Sequence, residues 1–252
     1  MKNPNRAFSI VELLVVIAII AILAALSLAV LALVKQHAKI AQAKLEISQI
    51  VSGIQQYDSV YGRFPVSSQD QIQAGTNDFT WGGTSYNADG TVSWIMGMAN
   101  NAEVIAILMN ATNYPNGQPT PNMGYAKNSQ RTIFLNAKLS GYDPSQPNTQ
   151  PPGGVDINGV YRDPWGSPYI ISMDLNNDEQ CRDAFYALQK VSQQYGQTGY
   201  NGLFNPDASG NSDNFEYHGK VMVWSAGPDR MFDTNSPAPQ GANKDNILGW
   251  TP

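Results

Sequence analysis

The hydrophobic pattern divides the chain into an apolar N-terminal segment and a more polar remainder. Residues 13–34 are all Leu, Ile, Val or Ala apart from Ser27. As a helix that rises 1.5 Å per residue, this run is long enough to cross a hydrocarbon layer of about 30 Å. The alternative is a cleaved signal peptide with a small-residue site at 27–29, but signal cores are usually only about 7–15 residues long. The pattern therefore predicts a retained transmembrane helix.

A second periodicity continues this helix beyond the apolar run. Apolar residues recur every three or four positions, and polar residues fill the other face. The predicted inner face consists of Ile40, Ala43, Ile47, Ile50, Val51, Ile54, Tyr57 and Tyr61. Gly62 and Pro65 then supply the usual signals for a helix end. The sequence thus predicts one long helix that ends at Tyr61, with its first part in lipid and its second part packed on a soluble body.

The rest of the chain has the short, mixed patterns of an α+β body with a small antiparallel sheet. A turn is predicted at Asp163, Pro164 and Gly166, and buried positions are predicted for Trp165, Cys181 and Trp224. The predicted strands cover residues 131–135, 169–173 and 221–224. Helices are predicted at 93–109 and 179–195, and a Pro/Gly-rich loop at 144–154.

The net charge and the absence of common catalytic motifs argue against nucleic-acid binding and enzymatic activity. The net charge is −5, which divides into +3 up to Pro65 and −8 beyond it, so a nucleic-acid partner is not expected. The common nucleophile, phosphate-loop and zinc motifs are absent, which predicts a protein that is not an enzyme. A chance pair of carboxylates is the remaining hydrolytic alternative. Asp174, Asn176 and Asp178 begin like an EF-hand loop, but the pattern fails after them and predicts only a polar turn.

One charged residue, Glu12, interrupts the apolar segment, and an acid at the edge of a membrane needs a partner. The sequence around it reads Lys-Asn-Pro-Asn-Arg-Ala at residues 2–7 and Phe-Ser-Ile-Val-Glu-Leu-Leu at residues 8–14. This junction resembles the class III leader of type IV prepilins and type II secretion pseudopilins. An ordinary signal anchor with a Glu at this position is the alternative. Ala7, where the family usually has Gly, and Ala29, where many relatives have Pro, depart from the family pattern.

The resemblance implies a set of roles for the N-terminal residues. Cleavage would fall between Ala7 and Phe8, and Phe8 would be N-methylated. Glu12 would then be the fifth mature residue and would pair with the Phe8 amine of an adjacent subunit in a filament. Breaking such a pair inside lipid costs about 3–5 kcal/mol, so it would fix the register of neighbouring subunits.

The C-terminal half extends the resemblance. Residues 162–171, 221–229 and 243–250 are similar to the C-terminal half of the major, G-type pseudopilin. Three carboxylates, Asp229, Asp233 and Asp245, lie in loops with few apolar residues, and hard oxygen ligands of this kind suit calcium. The resemblance implies that the side chains of Asp229 and Asp245 and the carbonyl of Ala226 bind calcium. A solvated acidic loop without metal is the alternative.

These observations predict a type IV pilin-like fold, with a leader at residues 1–7, a membrane and assembly helix at 8–61 and a periplasmic domain at 62–252. The expected function is that of a pseudopilin, a structural filament subunit of a type II secretion system. Its expected partners are further copies of itself, a prepilin peptidase, other secretion-system or pilus components and the inner membrane, which it would cross once. A type IV pilus subunit, with the C-terminal domain on an extracellular filament, is the near alternative. A membrane-anchored carbohydrate-binding protein that uses Trp81, Tyr86 and Trp94 of the 66–159 insertion is the other.

Overall fold

The computed structural model describes residues 9–75, 77–82, 84–86, 92–94, 99–146 and 150–251, with the backbone alone for 26–30, 84–86 and 92–94. The chain divides into two compact units, residues 1–39 and residues 40–252. The helices are α1 (Ile10–Tyr61), α2 (Ser68–Ala74), α3 (Ala102–Leu108) and α4 (Gln189–Ser192). The strands are β1 (Phe79–Trp81), β2 (Thr84–Tyr86), β3 (Val92–Trp94), β4 (Gly154–Val155), β5 (Tyr161–Arg162), β6 (Ile170–Met173), β7 (Gln180–Cys181), β8 (Gln193–Tyr195), β9 (Thr198–Gly199), β10 (Tyr217–His218), β11 (Val221–Ser225) and β12 (Ile247–Leu248).

Helix α1 confirms the predicted long N-terminal helix and its end at Tyr61. Gly62 follows with a φ of +62°, and its N–H donates to the Asp58 carbonyl at 2.7 Å. The predicted inner face of residues 40–61 is also confirmed, since five of its residues are buried and the other three are partly buried in the same core. In residues 9–39, the described side chains are exposed. Within the part of the chain that the structure describes, no helix is both long enough and apolar enough to cross a membrane.

The central sheet has four antiparallel strands in the order β1-β6-β11-β12. Because side chains alternate along a strand, the sheet has two faces, and both are buried. Ile171 and Val223, which are cross-strand partners, pack in the core that contains the inner face of α1. Met222 and Trp224 point the other way, into a second core with Phe185. This arrangement confirms the α+β class, the burial of Trp224 and the strands predicted at 169–173 and 221–224.

The segment from residue 93 to residue 135 differs from its prediction. The helix predicted at 93–109 is wrong in its first part, because Val92–Trp94 is a strand and the helix begins only at Ala102. The strand predicted at 131–135 is also wrong. Buried Asn128 bonds to the backbone there, since its amide group donates to the Thr132 carbonyl at 2.6 Å and accepts the Thr132 N–H at 3.1 Å. A side chain therefore satisfies the backbone groups that a strand would pair.

The helix predicted at 179–195 is wrong as well. This segment contains β7, the short helix α4 and β8, while Cys181 is buried as predicted. Asp183, which is fully buried, accepts the N–H groups of Phe185 and Tyr186 at 2.9 Å and turns the chain before a helix can form. Its carboxylate also accepts hydrogen bonds from Ser172 Oγ at 2.6 Å and from the Trp224 indole at 3.0 Å. Burial raises the pKa of Asp183.

Candidate functional site

The N-terminal candidate residues lie at the start of α1. Ala7 and Phe8 lie outside the described residues, whereas Glu12 is described and exposed. The Ser9 N–H donates to Glu12 Oε2 at 2.9 Å, and the Val11 N–H donates to Ser9 Oγ at 3.2 Å. This reciprocal arrangement is a variant of the capping box, in which Ser9 Oγ accepts the second N–H of the helix rather than the third. The Ser-x-x-Glu spacing is visible in the sequence and would have revealed this role of Ser9, which the sequence analysis missed.

The capping box defines where the Glu12 carboxylate sits. It is held at the N-terminal end of α1, where the helix dipole and unpaired backbone N–H groups favour negative charge. One of its oxygens, Oε2, accepts the Ser9 N–H. An exposed carboxylate in this position is suited to accept a further hydrogen bond from a cationic group outside the subunit.

The structure brings two of the predicted calcium ligands together in the C-terminal loops. The Asp229 N–H lies 3.4 Å from Asp245 Oδ2, and Asp245 Oδ1 is buried with no hydrogen-bond partner among the described residues. Burial and the nearby Asp245 charge raise the pKa of Asp229, while the Met231 N–H lowers it. Ala226, the third predicted ligand, is fully buried at the end of β11. The two carboxyl groups thus share one part of the surface, and one oxygen lacks a partner.

Other residues of these loops are engaged in local turns. The Asp233 carboxylate accepts the Ser236 hydroxyl at 2.6 Å and the Asn235 N–H at 2.9 Å. Buried Asn243 donates to the carbonyl groups of Asp233 and Ser236. Among the described residues, no three acidic, histidine or cysteine side chains lie together as metal ligands would. A calcium site here would therefore depend on two carboxylates and on main-chain oxygens.

A buried carboxyl group, Asp163, links these loops to the turn before β6. It accepts the N–H groups of Trp165 and Ser167 at 2.9 and 3.0 Å, which closes the predicted turn. It also accepts the hydroxyl of Ser225 at 2.6 Å. Burial raises the pKa of Asp163 to about 6, and these hydrogen bonds oppose the rise. The sequence predicted the turn at Asp163 but not its hydrogen bond to Ser225, because the two residues are far apart in the chain.

Comparison with known protein families finds a match at the N-terminus. Residues 2–28 match the family described as the prokaryotic N-terminal methylation motif. The match supports a type IV prepilin-like protein. No curated protein and no solved structure was found to match the chain. Prepilin-like proteins with this motif are structural subunits rather than enzymes, and the motif implies a membrane-anchored N-terminus, processing by a prepilin peptidase and assembly into pilus-like filaments.

Of the three aromatic residues considered for sugar binding, the structure describes the side chain of Trp81. Trp81 is fully buried, and its indole N–H donates to Asp70 Oδ2 at 2.6 Å. The expectation that Trp81 stacks on a sugar is therefore wrong. Tyr86 and Trp94 lie on the paired strands β2 and β3, and their side chains are outside the described residues.

A carboxyl pair does occur in the described structure, between α2 and α3. The carboxyl groups of Asp70 and Glu103 lie close enough to interact, and the like charge of Asp70 disfavours ionisation of Glu103. Burial, followed by the contact with Asp70, raises the pKa of Glu103 to about 7. Ser67 caps α2 by accepting the Asp70 N–H and donates its own N–H to Glu103. Asp70 is only 8% exposed, so this pair belongs to the packing of the two helices.

Proposed function

We propose that this protein is a pseudopilin, a structural filament subunit of a type II secretion system. The observation that carries the proposal is the N-terminal methylation motif at residues 2–28, with Glu12 held at the first turn of a continuous helix, Ile10–Tyr61. The inner face of α1 packs in one core with an antiparallel sheet, which supports a type IV pilin-like fold. The Asp163 turn, similar to that of G-type pseudopilins, favours secretion over the near alternative, a type IV pilus.

The proposal assigns a location and partners. The apolar run at residues 13–34 supports one crossing of the inner membrane, with the body in the periplasm. A prepilin peptidase removes residues 1–7, and Phe8 is N-methylated. Glu12 then pairs with the Phe8 amine of the next subunit. Head-to-tail contacts of this kind do not close into a ring, and they generate a helical filament of identical subunits.

Replacing Glu12 by Ala tests this assignment. We expect Glu12→Ala to be inserted and cleaved like the wild type but to form no filaments, because the Phe8 amine of the neighbour loses its partner in a low-dielectric environment. Mass spectrometry of the N-terminal peptide checks the cleavage, and electron microscopy checks the filaments. Normal filaments from Glu12→Ala would refute the pairing.

The matched control is Ser9→Ala, which breaks half of the capping box and keeps the carboxylate. Loss of an N-cap costs only about 1 kcal/mol, so Ser9→Ala is expected to form filaments. A mature N-terminus at Val30 in the wild-type protein would identify residues 1–29 as a signal peptide and would overturn the anchor. Loss of protein export in cells that lack the chain, with surface pili intact, is the result expected for a pseudopilin rather than a pilus subunit.

We also propose that the C-terminal loops bind calcium. The residues present fit this ion, because Asp229 and Asp245 are adjacent and Asp245 Oδ1 is buried without a partner among the described residues. Ala226 would contribute its carbonyl oxygen. When bound, calcium would add positive charge beside the carboxylates of Asp229 and Asp245. Since the chain has a single cysteine, no intrachain disulfide can hold these loops in its place.

A chelator tests the calcium proposal in the full chain in detergent. We expect removal of calcium to lower the melting temperature, because an ion that binds only the folded state stabilises it by mass action. Asp229→Ala should abolish this response. Asp233→Ala is the control, since its carboxylate is used in a local turn with Ser236, and it should keep the response. Identical melting curves with and without chelator would eliminate the site.

A further inference from the structure

The Asp163 carboxylate is fixed more firmly than the proposed calcium ligands themselves. Its side chain is fully buried, and two backbone N–H groups of its own turn hold Oδ1 in place. The remaining oxygen, Oδ2, accepts the hydroxyl of Ser225 at 2.6 Å. Asp163 therefore offers an immobile acceptor at the end of strand β11.

The Ser225 hydroxyl connects the Asp163 carboxylate to the loop that follows β11. Its hydroxyl has a single proton, and that proton is donated to Asp163, so the oxygen lone pairs are left to accept. One of them accepts the Gly227 N–H at 3.0 Å. One side chain thus connects the buried carboxylate to the backbone between Ala226 and Asp229.

Gly227 in turn sets the distance between the two halves of the proposed site. Its backbone, with a φ of +71°, lies so close to the Asp245 main chain that a Cβ would overlap the Asp245 carbonyl oxygen. Two residues further on, the Asp229 N–H approaches Asp245 Oδ2. The position of Gly227 therefore controls how Asp229 and Asp245 face each other.

We propose that Asp163 and Ser225 are positioning residues for the calcium-binding loops, with Asp163 acting through the Ser225 hydroxyl on Gly227. This inference rests on the calcium site proposed above. Groups that orient metal ligands in this way typically contribute 10–100-fold to metal affinity although they do not touch the metal.

The test measures calcium affinity by calorimetric titration of the full chain in detergent. Ser225→Ala removes the link and should weaken calcium binding about tenfold or more. Ser225→Thr keeps a hydroxyl and should bind within about threefold of the wild type, by the same reasoning. The matched control is Ser172→Ala, which breaks an equally short hydrogen bond, 2.6 Å from Ser172 Oγ to buried Asp183, on the same sheet. A general loss of stability would affect both alanine variants, whereas a positioning role weakens calcium binding only in Ser225→Ala.

The possible failures are distinguishable. If the wild type binds calcium and Ser225→Ala binds it equally well, the positioning role is overturned and the calcium site stands. If Ser172→Ala weakens binding as much as Ser225→Ala, the effect is a general one and the positioning role is again overturned. If the wild type gives no binding signal, the calcium site and its positioning residues are both overturned, while the filament function is untouched.

Discussion

Gly227 lies where the loop after β11 passes the main chain of Asp245. Two features restrict this position to glycine: a φ of +71°, and the absence of space for a Cβ beside the Asp245 carbonyl. Gly196 has a similar φ of +54°, but a Cβ there would have no atom within 4 Å. The two glycines therefore separate the cost of the backbone conformation from the cost of the steric overlap.

We expect Gly227→Ala to lower the free energy of unfolding by about 3 kcal/mol and Gly196→Ala by about 1 kcal/mol. The smaller figure is the cost of a left-handed conformation with a side chain, and the larger one adds the strain of overpacking. Urea denaturation of the full chain in detergent, with a chelator present to remove any contribution from calcium, measures both. Equal losses would show that the loop moves aside at no cost.

Single buried asparagine side chains also hold loop segments in place by hydrogen bonds to backbone groups. Asn101 donates to the carbonyl groups of Tyr161 and Tyr169, and its amide oxygen accepts the Tyr161 N–H. Asn122 and Asn128 hold the segment around residues 127–132 in the same way. Because the peptide-like amide offers both donors and an acceptor, these side chains replace the backbone pairing that helices and strands would provide.

At the scale of elements, α1 between residues 40 and 61 has one face in the core and one face in contact with solvent. Ile50 is fully buried, whereas Leu45 is 59% exposed. Ile50→Ala is expected to lower the free energy of unfolding by about 2–5 kcal/mol, through lost burial and a cavity. Leu45→Ala should change it by roughly 0.5 kcal/mol or less. Denaturation of the two variants checks the orientation of the helix, and a larger loss for Leu45→Ala would contradict it.

For the molecule as a whole, carboxyl groups with raised pKa values govern the response to pH. Besides Asp163 and Asp183, they include two partly buried groups outside the calcium loops, Glu103 and Asp78. The pKa of Glu103 is raised to about 7 by burial and by Asp70, and Ser67 bonds to it. The pKa of Asp78 is also raised to about 7, chiefly by burial and further by Asp174 and Asp178, while the Arg182 N–H and charge oppose the rise. In the unfolded chain both groups return to their ordinary pKa values near 4.

The sign of the effect follows from proton linkage. Between about pH 4.5 and pH 7 the folded state holds protons that the unfolded state has released, so stability falls as the pH rises through this range and is level above it. We therefore expect the melting temperature, with chelator present, to be higher at pH 5 than at pH 8. Each group should contribute on the order of 1–2 kcal/mol once solvent screening is taken into account.

Glu103→Gln is the variant that isolates one of the two groups. It keeps the shape of the side chain and cannot ionise, so it should be more stable than the wild type at pH 8 and should lose part of the dependence on pH. Glu216→Gln is the comparison variant, because it removes a carboxyl group whose pKa is also raised by burial but which is remote in sequence from Asp70 and Glu103. A larger change in Glu103→Gln than in Glu216→Gln is the expected result. An unchanged pH profile in Glu103→Gln would show that its carboxyl group is not protonated in the folded state.

The sequence alone determined the features that depend on local periodicity and on contiguous motifs. The length of α1, its inner face and its end at Tyr61 follow from apolar spacing and from Gly62, and the strands around residues 170–173 and 221–225 follow from β-branched and aromatic runs between turns. The N-terminal junction at residues 2–14 was readable for the same reason, because its leader, Phe8 and Glu12 are neighbours in the chain.

Only the tertiary structure decided the features that depend on contacts between distant segments. Asp183 and Asn128 prevent the helix predicted at 179–195 and the strand predicted at 131–135, because a side chain bonds to backbone groups that propensity assigns to regular structure. Trp81 is buried against Asp70, and Asp163 meets Ser225 across 62 positions of the chain. Periodicity describes which face of a segment is apolar, but a hydrogen bond between such residues exists only after the chain has brought them together.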